Sequence, residues 1–355
     1  HDESNHTLIQ TAATERSVSA SGRYLVLVTV FFGWFFAGTL LQITSLAMRS
    51  AAIDLLSRVG SIDLEQFNAL NKAMQGAKKG QKPETVLSES DASRLKLWRA
   101  SAQEWFAYYQ CAFLFGAAAG GFVFGRLGDR LGRAKGVAAS IVCYTAFAGI
   151  ASYAQTPVQL LILWFLACLG VGGMWPNGIA LVSEIWSNMS RPMVAGIIGT
   201  AANVSIFLMA TLGTNIKITP EHWRWVMLVA AAPIVLGVFV FVAVPESPRW
   251  LAAQASGTAN GPPVAAASDV FRRPLRSVTL VGIVLATIPL FGGWGSANWM
   301  VPWAGEACET TDPPDPFLQA RVGQYRAATG SVGSLLGGWI ASVVGRRRTY
   351  FVVSI

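Results

Sequence analysis

Charge is what this 355-residue chain has least of. Asp, Glu, Lys and Arg together make up 13% of it, about half the roughly 25% of an ordinary soluble domain. So little polar surface cannot cover several water-soluble domains, and lipid must be the solvent for much of the chain. Disorder and coiled coil are excluded by the same composition. Histidine is nearly absent, at His1, His6 and His222, which argues against hydrolytic triads and histidine-rich metal sites. The four cysteines, Cys111, Cys143, Cys168 and Cys308, show no CxxC spacing, and a disulfide scaffold is excluded. No paired acids, nucleophile–base pair or phosphate loop stands out. Neither an enzyme nor a cofactor or metal site is expected. Acids are also missing from the middle of every long apolar run; Glu104 and Glu184 stand at run ends.

What is present is apolar residues, at 53%, and 35 glycines. About 20 mainly apolar residues are needed to cross a bilayer as a helix. That length recurs at roughly 24–47, 104–124, 136–154, 158–183, 193–215, 224–244, 277–301 and 322–344. The expected fold is an all-α integral membrane protein with about eight complete transmembrane helices. The first run is too long for a signal-peptide core. A ninth span is expected to begin at Thr349, so the sequence reads as the first two-thirds of a longer chain.

Lys and Arg set the orientation. A cytoplasmic N-terminus puts Arg16, Arg23, Arg126, Arg130, Arg133, Lys135, Arg191, Arg249, Arg272, Arg273, Arg276 and Arg346–Arg348 on the inside, whereas the short outside loops carry only Lys217, Arg224, Arg321 and Arg326; the basic residues of the long segment 48–103 are nearly balanced by its acids. The basic excess of +8 is therefore topological and does not mark nucleic-acid binding. The expected parts are a cytoplasmic tail (1–23), a six-helix bundle (24–244), a cytoplasmic linker (245–276) and a partial second bundle (277–355). Residues 48–103 form an outside loop read as a small cap, with Leu64, Phe67, Leu70 and Met74 at near-helical spacing. Ala, Gly, Ser and Pro dominate 252–275, the mark of a flexible connection.

The sharpest signal is GRLGDRLGRAK at 125–135. Its skeleton of Gly125, Asp129, Gly132 and Arg133 returns after the linker as Gly338, Ser342, Gly345 and Arg346. Parallel repeats of this kind are one plan on which transporters are built. On its own chemistry, Gly125, Gly128 and Gly132 permit close helix approach and a tight turn. Asp129, set among Arg126, Arg130, Arg133 and Lys135, is placed for ion pairing. The loop resembles the G-x-L-[GA]-D-[RK]-x-G-[RK] signature of the major facilitator superfamily. Further resemblance lies in GVGGMWPNGIALVSEIWSNMSRP (170–192) and PESPRW (245–250), which look like the sugar-porter and metabolite:proton symporter branches. The resemblance implies a six-plus-six helix plan with the last four helices missing here. It also implies a conformational gate of Gly125, Gly128, Asp129, Arg130, Gly132, Arg133, Glu184, Arg191, Glu246 and Arg249 that opens and closes as two halves rock.

By the same resemblance the substrate site lies at mid-membrane. Polar groups in apolar helices are costly unless paired or facing a cavity. The candidates are Thr39, Gln42, Trp175, Asn177, Asn203, Trp294, Asn298 and Trp299, with Asn203 the best single choice; interhelical hydrogen bonding competes with substrate contact for each. Related symporters carry acids where this chain has Ala37 and Met174, so proton coupling would fall to Glu184 or to an acid in the missing helices. The expected function is transport of a small polar metabolite, a sugar or an organic acid, by a monomer in a bacterial-type inner membrane. The rival is a non-transporting membrane sensor with a transporter-like fold.

Overall fold

The computed structural model describes residues 18–75, 86–186, 189–255, 269–307, 315 and 317–354. Among these residues the chain is helical, with no strand. Helix α1 (Ala20–Leu46) starts where the Ser19 hydroxyl accepts the Gly22 N–H at 3.2 Å, satisfying one of the free amides of a first turn. After Ala47, α2 (Met48–Arg58) and α3 (Leu64–Gln75) build a cap. Helix α4 (Glu89–Leu131) has 43 residues, about 65 Å at 1.5 Å per residue, or twice the ~30 Å hydrocarbon layer. Its first third therefore extends beyond the membrane into the cap. There Ile53, Leu56, Ile62, Phe67, Leu70, Leu95 and Ala102 form a small core of their own.

Gly132, at φ +116°, makes the turn into α5 (Arg133–Ala151). Helix α6 (Pro157–Ile185) opens on a reciprocal cap, Gln159 N–H to the Thr156 hydroxyl at 3.2 Å and Thr156 N–H to the Gln159 side chain at 3.3 Å. Helix α7 (Arg191–Asn215) follows. Helices α8 (Arg224–Ala231) and α9 (Ile234–Ala243) are one apolar span broken at Pro233, which has no N–H to continue the ladder.

The expected linker is not wholly irregular: α10 (Pro248–Ala255) and a short turn at Asp269–Phe271 occupy its ends, and 256–268 lie outside the described residues. Then come α11 (Arg276–Pro289), a wide turn at Leu290–Trp294, α12 (Gly295–Ala307), α13 (Leu318–Val343) and α14 (Arg346–Ser354).

Seven helices among the described residues are long and apolar enough to cross a membrane, where the sequence reading expected eight. The eighth, α13, forms over 26 residues. It is too polar to qualify by composition, because Arg321, Gln324, Arg326, Thr329, Ser331 and Ser334 dilute its apolar residues. Phe115, Phe241, Val242 and Val278 are largely exposed on the helices' outer surfaces. That is a liability in water and a match to lipid.

Backbones approach closely where small residues meet. A Cβ on Gly120 would collide with the Leu169 carbonyl, and one on Gly172 with the Ala117 carbonyl, so α4 and α6 touch main chain to main chain. The same occurs across the linker. A Cβ on Gly338 of α13 would fall 2.8 Å from the Pro192 carbonyl oxygen, and one on Gly196 of α7 2.6 Å from that of Ser334. The α7–α13 seam thus joins the helices that precede the linker to those that follow it.

Candidate functional site

Two groups of polar residues stand at opposite ends of the bundle, with a third between them. The end bearing the 125–135 loop is called the loop face, and the end bearing α2 and α3 the cap face.

On the loop face, Asp129 pairs with Arg133 one helical turn on, at 2.6 Å, with both side chains partly exposed. Glu246 does something the sequence did not suggest. Its carboxylate accepts the Ala134 N–H at 2.9 and 3.2 Å and the Ser247 N–H at 2.9 Å. A negative charge at the first turn of α5 satisfies free amides and complements the helix dipole. Gly132 is required beside it, because a Cβ there would collide with the Glu246 carboxylate. The Ser247 hydroxyl donates to Glu184, and the Trp250 indole donates to the Asp129 carbonyl at 2.9 Å.

These bonds tie the ends of α4, α5 and α6 to the α9–α10 connection and the start of α10. The glutamates here engage hydroxyl and backbone donors rather than the expected arginines. Arg130, Arg191 and Arg249 form no ion pair among the described residues. Gly125 also departs from expectation, since a Cβ there meets open space, whereas one on Gly128 would strike the Asn177 side chain.

Between the faces, Thr39 and Ser205 share a buried hydroxyl–hydroxyl bond of 2.7 Å linking α1 to α7. Asn203 donates to the Ser334 hydroxyl of α13 at 3.2 Å and to the Gly199 carbonyl at 3.2 Å. Gln42 is fully buried, with neither amide atom hydrogen-bonded; it fits because Gly323 of α13 lacks a side chain there. Thr39, Gln42 and Asn203 are thus brought together where α1 and α7 meet α13.

Trp175 packs against Trp34 with ring centroids 4.9 Å apart. Asn177 turns away from that seam. It is fully buried and donates to the carbonyls of Phe124 at 2.8 Å and Gly173 at 3.0 Å, which is helix–helix packing. Trp299 is half exposed, edge-on to Phe106 at 6.5 Å. The side chains of Trp294 and Asn298 lie outside the described residues, although both positions are helical. Sequence reasoning missed Ser205 and Ser334; the run of small polar residues along α13 was the available signal.

Among the described residues, the cap face carries the best-buried ion pair. The Asp54 carboxylate is 3.0 Å from both Arg58 and Arg224 and accepts the Trp223 indole N–H at 3.0 Å. Arg224 also donates to the carbonyls of Ser152 and Ala154 at 2.6 and 2.9 Å. In the loop before α8, burial works to raise the Glu221 carboxyl, yet hydrogen bonds from its own backbone, Thr219 and Asn68, with His222 nearby, hold it below its ordinary range.

Residues 24–355 match the model of the Major Facilitator Superfamily. The chain belongs to that family. It is therefore a multi-pass membrane protein, and its family and relatives are transporters, not enzymes.

Among those relatives, the chain is 32% identical over 142 residues to the inner membrane metabolite transport protein YgcS of Escherichia coli (strain K12), covering 40% of this chain and 32% of that protein. It is 28% identical over 240 residues to the cis,cis-muconate transport protein of Acinetobacter baylyi, covering 67% of this chain and 57% of that one. The chain spans less than two thirds of the length of these relatives. Among solved structures, the proton:xylose symporter XylE bound to 6-bromo-6-deoxy-D-glucose superimposes with a TM-score of 0.54 at 15% identity, over 90% of this chain and 70% of that one. The major facilitator fold is common to both.

Proposed function

We propose that this major facilitator protein carries a small polar metabolite, a sugar or an organic acid, across a bacterial-type inner membrane by rocking of two helix bundles. The observation that carries the reading is the α7–α13 seam. It joins the two sides of the linker through glycine contacts and through the neutral Asn203–Ser334 bond. An interface of small residues and neutral hydrogen bonds has no large ionic cost to break on each cycle. The Asp129–Arg133 pair, partly exposed and worth about 0–1 kcal/mol, suits a latch between states of similar free energy.

In this reading the cap face is outside and the N-terminus cytoplasmic, an orientation supported by the Lys and Arg of the short loops. In this reading Thr39, Gln42, Trp175, Asn203 and Trp299 line the path, and Asn177 holds α6 to α4. Gln42 is the group on which a substrate hydroxyl or carboxylate would find unsatisfied hydrogen-bonding capacity.

A second reading, proton-coupled uptake through Glu184, has one observation in its favour: the partly buried contact of that carboxylate with the Ser247 hydroxyl. The test is uptake of labelled xylose, cis,cis-muconate, gentisate and benzoate into proteoliposomes holding the full chain. Saturable uptake of at least one compound, lowered by Asn203→Leu, supports transport. No uptake of any of them, in protein that elutes as a single folded species, favours the sensor reading.

A further inference from the structure

At the cap face a cavity of about 260 Å³ opens among three separate parts of the chain. Its walls come from the α1–α2 junction, from α3 with Arg99, Gln103 and Phe106 of α4, and from the neighbouring ends of α7, α12 and α13. Three of its lining residues are cations, Arg49, Arg99 and Lys217, and none of its described lining residues is an acid. Like charges gathered in one partly enclosed space repel each other, and an anion between them relieves that repulsion.

Arg49 supplies the second observation. Its Nε is buried and has no hydrogen-bond partner. A guanidinium N–H out of reach of water and without an acceptor is costly to maintain. Among the described carboxylates of the cap face, Asp54 is engaged with Arg58, Arg224 and Trp223, Asp315 with Arg321 at 3.3 Å, and Glu221 with Asn68 at 3.1 Å. Arg99 is held by the Asn71 side-chain carbonyl, with its Nε at 3.1 Å, which fixes the plane of its guanidinium. Phe106 and Phe317 give the same cavity apolar wall.

Seven residues before Arg49, on the same face of the α1–α2 run, stands the buried and unbonded amide of Gln42. A neutral sugar would gain nothing from three cations and would need a mixture of donors and acceptors. A planar carboxylate matches a guanidinium fork.

We propose that this cavity is the entry site for a small organic carboxylate, captured by Arg49 with Arg99 and Lys217 and passed along α1 toward Gln42. The proposal rests on the transport reading above for the direction of passage, and it narrows the substrate to organic anions.

The test is equilibrium binding to the full chain in phosphatidylcholine nanodiscs, with benzoate, acetate and cis,cis-muconate as probes and benzamide as the uncharged counterpart of benzoate. At least one carboxylate should bind saturably, and benzamide at least tenfold more weakly than benzoate if benzoate is the binder. Arg49→Gln should weaken carboxylate binding at least tenfold, and Arg49→Lys less. Arg347→Gln, on the opposite face, should leave it unchanged. If Arg49→Gln does not elute as a single species, Lys217→Gln carries the test with a threefold threshold.

Binding of no carboxylate, equal binding of benzamide, or unchanged affinity in well-folded Arg49→Gln overturns the site. Uptake of xylose without carboxylate binding would overturn it while leaving transport standing. Arg49-dependent binding without movement of any solute would support the site and remove the transport reading.

Discussion

The Asp54 carboxylate, on the first helix of the cap, lies 3.0 Å from the guanidinium of Arg224 at the start of α8. One acid thereby fastens the cap to the helices beneath it, since Arg224 in turn holds the carbonyls at the end of α5. Asp54 is nearly buried, whereas Arg58, its other partner, is about half exposed.

Asp54→Asn is therefore expected to destabilise the protein by about 2 kcal/mol. That is less than the 3–5 kcal/mol of a fully buried broken pair, because Arg224 keeps some solvent contact. Arg58→Ala should cost no more than about 1 kcal/mol. Thermal unfolding in detergent measures both. An Arg58→Ala loss as large as that of Asp54→Asn would contradict the assignment of Asp54 as the tie.

The signature glycines should not behave alike. Gly128→Ala drives a methyl into Asn177, at a cost of about 1–3 kcal/mol. Gly125→Ala enters open space and should stabilise by about 0.5–1 kcal/mol through the lost freedom of glycine in a helix. Yield of folded protein and unfolding temperature separate the two. Equal sensitivity would mean that α4 and α6 do not meet as described.

Asp129→Asn keeps shape and removes charge. Stability should change by less than about 1 kcal/mol, since the pair with Arg133 is partly exposed, while transport slows and the balance of conformations shifts. Unchanged transport together with unchanged cysteine accessibility would leave Asp129 a topological role alone.

Topology has a direct check. In a background free of the native cysteines, Ser61→Cys on the cap should react with an impermeant thiol reagent added outside intact cells. Ser342→Cys on the loop face should react only after the membrane is opened. The reverse pattern would overturn the orientation and move the proposed carboxylate site to the cytoplasm.

Energy coupling follows from where acids are absent. Within the apolar spans no described Asp or Glu lies deep, and Ala37 and Met174 are both buried apolar residues. Uptake is expected to run down the substrate gradient, indifferent to a pH gradient. Moving one charge across the membrane is worth about 2.3 kcal/mol per 100 mV, so coupled uptake would respond strongly. Protein-dependent accumulation of a carboxylate driven by a pH gradient at zero membrane potential, and abolished by a protonophore, would refute this, and its loss in Glu184→Gln would assign the coupling to that residue.

Sequence alone determined the solvent of this protein, and with it the helical class and the boundaries of most spans. Those properties depend on runs of about 20 residues, where apolar content needs no partner to be read. Family membership was legible in the same way, because Gly125, Asp129, Gly132 and Arg133 are close neighbours in the chain.

Tertiary structure decided which polar group meets which. Glu246 lies 112 residues from the amide it caps, and Asn203 lies 131 from Ser334. No local pattern carries such pairings. Arg49, one basic residue among many in the sequence, became notable only when folding enclosed it beside Arg99 and Lys217 and left its Nε without an acceptor. Burial removes water as the default partner, and only the folded arrangement determines whether another group takes its place.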